Sequence, residues 1–216
     1  MTLTVWGRKT SSNVQALMWC IGELGLDCQR HDIGHVHGGN DTTQFLAMNP
    51  NGTVPVLQDG DCEPLWETGA ILRYLAARYG TVSLWPADPL QRAQIDKWAE
   101  WAKLNVAMNF TGPIFWRVVR TAPSKQEPTV IADALAKLVP FLAIAETRLS
   151  TNTHLASDDF TLADIQFGHV LYRFFDIPIA RPALPHIERY YSELTQHPAF
   201  VEHVMISYES LRVGDS

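Results

Sequence analysis

The stretch Asn49-Pro50-Asn51-Gly52-Thr53-Val54-Pro55-Val56-Leu57 combines turn-forming residues with the beginning of an apolar run. It predicts a turn followed by a strand that begins near Val54. The bond before Pro55 is a candidate cis peptide, because X-Pro bonds adopt that form far more readily than other peptide bonds. A cis bond there would leave the Val54 backbone N–H and C=O free to pair with an extended peptide. A plain turn before a strand is the alternative interpretation.

The same strand belongs to a series of short elements in the first eighty residues. Upstream of it, a β-prone run at 3–6 is followed by apolar residues at helical spacing from Val14 to Leu24, with Gly25 closing the helix. The predicted order is strand, helix, strand, helix, strand, strand and helix, at 3–6, 14–24, 28–33, 43–47, 54–57, 62–65 and from 67 onward. One parallel crossover and a late antiparallel hairpin make a mixed sheet.

Residues 81–88 are the best candidate for a linker, since the segment 80–90 holds two prolines and a glycine. Beyond it, helical patterns cover 89–120 and 127–150, and three or four further helices run to about residue 205. The sequence therefore predicts an α/β domain over 1–80 and an all-α domain over 89–216.

Composition narrows the class of protein. The chain has 216 residues, 46% of them hydrophobic, and a formal net charge of −6. These values predict a folded globular protein, and the negative charge disfavours nucleic-acid binding. No stretch approaches the roughly 18 uninterrupted apolar residues of a membrane span. Three cysteines without a CxxC pair and an N-terminus unlike a signal peptide predict free thiols in a reducing cytoplasm.

Polar side chains stand between the first strand and the first helix. Ser11, Ser12 and Asn13 directly precede the apolar positions of that helix. A helix N-terminus offers free backbone N–H groups and a positive field, so this place would stabilise an anion such as a thiolate and lower the pKa of the thiol. The alternative is that a serine here only caps the helix.

Glu67 and Thr68 open the third predicted helix. The carboxylate could bind an ammonium group, while the hydroxyl and the helix N-terminus could bind a carboxylate. An α-amino-acid head group needs both partners. An ordinary carboxylate in the first turn of a helix is the equally common alternative.

Taken together, the order and spacing of these motifs resemble the cytosolic glutathione S-transferase family, in particular its bacterial theta-like and B-type members. The resemblance rests on Ser11 after the first strand, on Val54-Pro55, and on Glu67-Thr68, and it covers residues 2–205. It implies a thioredoxin-like first domain with a mixed four-stranded sheet. Thr161 and Asp164, in Thr161-Leu162-Ala163-Asp164, match the buried capping box of the family's helical domain.

The resemblance also implies a function. Glutathione would be the co-substrate, and its thiolate would attack a small electrophile by conjugation or dehalogenation. The implied thiol-activating residues are Ser11 and, in support, Asn13; the implied glutathione contacts are Ser12, Thr53, Val54, Pro55, Glu67 and Thr68. The family usually forms two-fold homodimers, so we expect one here. A glutathione-binding module without catalysis is the alternative, and a protein-interaction domain of the translation-factor type is a third.

Two places depart from the family pattern. Thr53 stands where a lysine or glutamine commonly precedes Val-Pro. The segment expected to hold the glycine carboxylate of glutathione contains His35, His37 and Asn40 but no clear basic residue, and His37 is our candidate. Because no third ligand is nearby in the sequence, we expect these histidines to be surface residues without a metal.

The resemblance places the substrate pocket between the two domains, against the long helix after residue 89. Its expected lining is Met108, Phe110, Phe115, Trp116 and Arg120. For at least two of these residues, core packing is the better interpretation. An arginine at 117 or 120 would favour a substrate that carries a carboxylate.

Overall fold

A mixed sheet forms the centre of the N-terminal part of the computed structural model, which describes residues 2–215. Its four strands are β1 (Leu3–Trp6), β2 (Cys28–His31), β3 (Val56–Asp59) and β4 (Leu65–Trp66). They lie in the order β2-β1-β3-β4, with β1 parallel to β2 and antiparallel to β3, which is in turn antiparallel to β4. The mixed four-stranded sheet is confirmed.

Five strand boundaries differ from those predicted. β2 ends at His31, two residues early, and β3 and β4 end late, at Asp59 and Trp66. β3 begins after Pro55 and β4 after Pro64, whereas the sequence predicted strands from 54 and from 62. Proline has no N–H to donate to a ladder, so both prolines end up just outside the paired residues.

Three helices pack around the sheet: α1 (Ser12–Glu23), α2 (Thr43–Met48) and α3 (Thr68–Tyr79). α1 begins at Ser12, two residues before the predicted start, with Ser11 in an extended conformation at the N-cap position. It is followed by Gly25 at φ +61°, a left-handed conformation that glycine adopts without steric cost.

Helices make up most of the remaining chain. They are α4 (89–119), α5 (Pro128–Leu149), α6 (Leu162–Gly168), α7 (Leu171–Asp176), α8 (Pro185–Leu194) and α9 (Pro198–His203). Turns and bends at 80–88 connect α3 to α4, whose N-cap Asp88 accepts a hydrogen bond from the Gln91 N–H at 2.8 Å. The domain boundaries at 80 and 89 stay a prediction.

Helix α4 is not a regular α-helix throughout. Pro89–Trp101 is α-helical, but Ala102–Ala107 and Thr111–Trp116 are π-helical, and the short α-helical piece Met108–Phe110 separates them. Each π segment accommodates an extra residue and rotates the side chains that follow it. The second segment contains Pro113, which cannot donate the usual backbone hydrogen bond.

Helix α5 has 22 residues and an 18-residue window of mean hydropathy 1.6, which by length and composition alone would suffice to cross a membrane. Only 22% of that window is buried. The helix nevertheless packs one leucine-rich face against its neighbours, with Leu138, Leu142 and Leu149 at most 1% exposed. This pattern is that of a helix on the surface of a bundle.

A capping box opens α6. The carboxylate of Asp164 is fully buried and accepts hydrogen bonds from the N–H of Thr161 at 2.8 Å, the N–H of Leu155 at 2.9 Å and the hydroxyl of Tyr190 at 2.9 Å. Burial raises the pKa of Asp164, and these donors oppose that shift. The box therefore ties the start of α6 to the preceding loop and to α8.

The two parts of the chain meet at α1. Trp19 is fully buried, with its ring centroid 4.8 Å from that of Phe200 and 5.5 Å from that of Phe160. Gly168 on α6 approaches so closely that a Cβ there would lie 2.9 Å from the indole. Helix α1 is thus packed on one side by the sheet and α3, and on the other by the helical part.

Asp164→Ala should lower the free energy of unfolding by about 3–5 kcal/mol, because four buried donors, the Thr161 hydroxyl at 3.0 Å among them, would lose their acceptor. Urea denaturation followed by circular dichroism measures the loss. The matched control is Asp88→Ala, an exposed cap with one side-chain bond, for which we expect about 1 kcal/mol. Equal losses in the two variants would contradict the structural role of the capping box.

Candidate active site

A cleft of about 470 Å³ lies between the sheet part and the helical part. Both parts contribute to its wall. From the first part it is lined by Arg8, Thr10, Ser11, Ser12, Asn13, Gly34, His35, Asn40, Gly52, Thr53 and Val54, and from the second by Lys103, Ala107, Met108, Thr111, Gly112, Trp116, Arg120, Arg173 and Leu211.

The predicted hydroxyl residues meet in this wall. Ser11 is at the N-cap of α1, and its carbonyl accepts the Gln15 N–H at 2.9 Å, but its side chain makes no capping hydrogen bond. Ser12 and Asn13 line the same end of the helix. A hydroxyl at the positive end of α1 is thereby available to a ligand in the cleft.

The bond between Val54 and Pro55 is cis, and Pro55 is buried. Val54 lies outside the ladder, because the pairing of β1 with β3 ends at Trp6 and Val56. Thr53 and Val54 both line the cleft, and the Asn49 side chain holds this segment by donating to the Thr53 carbonyl at 2.8 Å. An extended backbone segment therefore borders the cleft opposite the helical wall.

Glu67 and Thr68 do not belong to the lining itself. Thr68 is buried at 3% exposure, whereas Glu67 is exposed and has a positive φ of 69°. The Glu67 carboxylate acts on the cleft through charge: burial lowers the pKa of Lys103, and Glu67 opposes that shift. Both residues thus lie beside the cleft, at the N-terminus of α3.

The two histidines of the glycine-rich loop are placed differently from our expectation. Both are exposed, as expected of surface histidines, but His35 lines the cleft and His37 lies outside the lining. The two residues are on one 3₁₀ turn (His35–His37), so their side chains leave it in different directions. Across residues 2–215, no three His, Cys, Asp or Glu side chains come together as a metal site.

On the helical wall, Met108, Trp116 and Arg120 line the cleft as predicted, but Phe115 does not. The Phe115 ring is fully buried, 5.1 Å from the ring of Tyr208. Phe110 is also core, at 1% exposure. Phe115 and Trp116 both lie in the second π segment, where Phe115 is in the core and Trp116 lines the cleft.

Sequence reasoning missed three cations in the cleft: Arg8, Lys103 and Arg173. The Lys103 ammonium donates to Asn13 Oδ1 at 2.5 Å, and the Arg173 guanidinium donates to the Thr10 carbonyl at 2.8 Å. Burial lowers the pKa of Lys103. Two side chains of the helical part thus hold the loop that carries the hydroxyls.

The place of one of these cations on the cleft wall could have been inferred from helical spacing in the sequence. Lys103 stands four residues before Ala107 and eight before Thr111, which puts all three on one side of a helix. Arg173 had no such signal, because it lies in an apolar helix 163 residues from its partner Thr10.

Comparison with known protein families matches both parts of the chain. Residues 1–77 match the family described as "Glutathione S-transferase, N-terminal domain", and residues 107–198 match "Glutathione S-transferase, C-terminal domain". Together the two matches span well over half of the chain.

Individual relatives agree with the family matches. Glutathione S-transferase GstB of Escherichia coli K12 is 35% identical over 205 residues, which cover 94% of this chain and 98% of the relative. Glutathione S-transferase 3 of Zea mays is 33% identical over 211 residues, covering 92% and 91%. A crystal structure of the theta class glutathione S-transferase from Xanthomonas axonopodis pv. citri with glutathione bound is 41% identical, with a TM-score of 0.89 and coverage of 95% and 98%.

Arg173→Met should loosen the loop before α1, because it removes the hydrogen bond to the Thr10 carbonyl. We expect faster amide hydrogen exchange in peptides covering residues 8–14, measured by mass spectrometry. Arg181→Met is the control, since Arg181 donates to the carbonyls of Phe174 and Ile177, both in the helical part. Unchanged exchange at 8–14 in Arg173→Met would contradict the bridging role.

Proposed function

Since the chain belongs to the glutathione S-transferase family, we propose that it binds glutathione in the cleft and that the Ser11 hydroxyl activates the thiol. The observation that carries this proposal is the position of Ser11, which lines the cleft at the N-cap of α1 with a side chain that makes no capping bond. Its O–H would donate to the sulfur, and the positive end of α1 would add to the stabilisation of the thiolate.

Asn13 would support the same thiolate. Its Oδ1 accepts a hydrogen bond from Lys103, which orients the side-chain amide and leaves the NH₂ group for the ligand. The Lys103 ammonium also adds a positive charge near the sulfur. Both effects favour the thiolate over the thiol.

The peptide backbone of glutathione would lie along the segment before β3. Val54 would pair with the cysteinyl residue as an added strand, with cis Pro55 shaping the segment and Ser12 and Thr53 alongside. Glu67 and Thr68, beside the cleft at the start of α3, would hold the γ-glutamyl ammonium and carboxylate. The glycine end would then reach His35 and Asn40, and His37 is not part of this proposal.

The electrophile would lie against the helical wall, near Met108, Trp116 and Arg120. The thiolate forms a C–S bond with an electrophilic carbon, the leaving group departs with its electron pair, and the thiol proton is released to solvent. Conjugation by substitution and glutathione-dependent dehalogenation both follow this course. A cytoplasmic location would keep glutathione in its reduced form.

A two-fold homodimer is the assembly that we propose, from the family to which the chain belongs. Light scattering of the purified protein should give twice the mass of one chain. A monomer at micromolar concentration would contradict this part of the proposal.

Ser11→Ala should raise the pKa of the bound glutathione thiol by at least about one unit, equivalent to about 1.4 kcal/mol. It should also lower kcat more than it raises the KM for glutathione. A pH titration of thiolate ultraviolet absorbance in the bound state measures the shift. At a pH between the thiol pKa in wild type and that in the variant, less of the glutathione bound to the variant is thiolate, because its thiol ionises only at higher pH.

Ser12→Ala is the matched control, because Ser12 lines the same end of α1. We expect a smaller pKa change in this variant. If Ser12→Ala produced the large shift instead, the activating role would pass to Ser12. If wild-type protein bound glutathione with an unperturbed thiol pKa, the non-catalytic binding module would be the better description.

A further inference from the structure

The cleft is strongly cationic. Four of its lining side chains are Arg8, Lys103, Arg120 and Arg173, whereas no aspartate or glutamate is in the described lining. The ion pairs found between residues 2 and 215 involve none of these four cations. A concave site with one sign of charge attracts and retains ligands of the opposite sign.

Three of these cations form what we call the arginine cluster: Arg8, Arg120 and Arg173. Burial is the largest cause of the lowered pKa of Arg8 and of Arg173, but their charges also act on one another: the Arg120 guanidinium lowers the pKa of Arg8, and Arg8 and Arg120 both lower the pKa of Arg173. Lys103 is separate, because it is paired with Asn13 and has Glu67 and Glu100 nearby. Mutual repulsion in the arginine cluster is therefore left without compensation by carboxylates of the cleft.

The arginine cluster also holds unused donors. Arg173 is only 3% exposed, and its Nε makes no hydrogen bond; Nε of Arg8 is likewise buried without a partner. The Arg173 guanidinium is held in place by the Thr10 carbonyl and by the Phe115 ring, 4.6 Å from Cζ. Buried charged donors without partners are costly unless a ligand completes them.

Glutathione by itself does not supply enough negative charge here. In the proposed binding mode its γ-glutamyl carboxylate lies beside Thr68, away from the arginine cluster. The thiolate would be matched by Lys103 and the positive end of α1, and the glycine carboxylate is one charge near His35, whereas the arginine cluster carries three. The remaining positive charge favours a further anion, and the remaining occupant of the cleft is the electrophile.

We propose that the arginine cluster binds an anionic group, a carboxylate or comparable oxyanion, of the electrophilic substrate, with Arg120 as the specificity-determining contact. This inference rests on the proposed function. The Arg120 guanidinium stacks on the Trp116 ring, with Cζ 5.1 Å from its centroid, and both line the cleft with Met108. An aromatic carboxylate could contact the indole and the guanidinium at once.

The test compares two electrophiles that differ in one charge, 4-chloro-3,5-dinitrobenzoate and 4-chloro-3,5-dinitrobenzamide. With either one, the thiolate forms a C–S bond at the chlorinated carbon, chloride leaves with the bonding pair, and the thiol proton goes to solvent. The value of kcat/KM for each is divided by its uncatalysed rate with glutathione, and the ratio of carboxylate to amide is the charge preference. We expect a preference of at least roughly tenfold in wild type, as for a hydrogen-bonded charged group.

Arg120→Met should abolish most of this preference, whereas Arg120→Lys should retain part of it. Arg117→Met is the matched control, because Arg117 is on the same helix, is paired with Glu127 at 3.8 Å and lies outside the cleft. It makes the same change in net charge and should shift the preference by less than twofold. High salt should weaken the preference in wild type.

Two results would overturn the inference. One is a wild-type preference near one. The other is an Arg120→Met enzyme whose KM for glutathione rises equally with both electrophiles, because the cluster would then serve the glycine carboxylate.

Calorimetric binding of unreactive 3,5-dinitrobenzoate separates this inference from the proposed function. Suppose that the wild-type protein conjugates neither electrophile but binds the benzoate, and that Arg120→Met loses this binding. That result would support the anion site and overturn the transferase assignment for the cleft. An active enzyme that does not bind the benzoate would overturn the anion site alone.

Discussion

The whole structure depends on the burial of helix α1 between the sheet and the helical part. Trp19 anchors its middle, and Glu23 near its C-terminal end accepts a hydrogen bond from the Trp19 indole at 2.7 Å and contacts the His197 ring at 3.0 Å. With that end fixed, the N-terminus of α1 projects into the cleft. There the helical part holds it again, through Arg173 and Lys103. The candidate thiol-activating hydroxyl is thus positioned by residues distant in sequence.

The order of helices and strands was predicted well from the sequence, because each element has its own local sequence pattern. Alternation, helical spacing and turn residues identified the mixed sheet, α1 to α3 and the long helices. Strand boundaries were wrong by one to three residues. The late starts of β3 and β4 follow from the prolines at 55 and 64, which suit a strand by composition but cannot donate to its ladder. The interior of α4 was also missed, because π segments leave no clear trace in apolar periodicity.

Candidate-site residues that belong to local motifs could be predicted from the sequence, whereas those that depend on tertiary contacts could not. Ser11 and Val54 were identified because each stands at a chain feature that can be read from its neighbours. Phe115 is predicted to line the cleft, but it lies in the core within the second π segment, in agreement with the alternative of core packing. The role of Arg173 could not be predicted from the sequence, because it depends on the approach of two segments that are far apart along the chain. Positions set by folding as a whole are the part that one sequence does not display.

The two π segments of α4 have a consequence for how the cleft could diversify. A π segment is an α-helix with one residue too many, and loss of that residue restores the regular helix. Each helical residue turns the chain by about 100°, so a single deletion at either segment would bring a different row of side chains to the wall. A change in the length of α4 by one residue could therefore change the side chains that line the cleft, without any substitution. At the π segment that contains Phe115, deletion of a single residue would therefore be enough to change which side chains line the cleft.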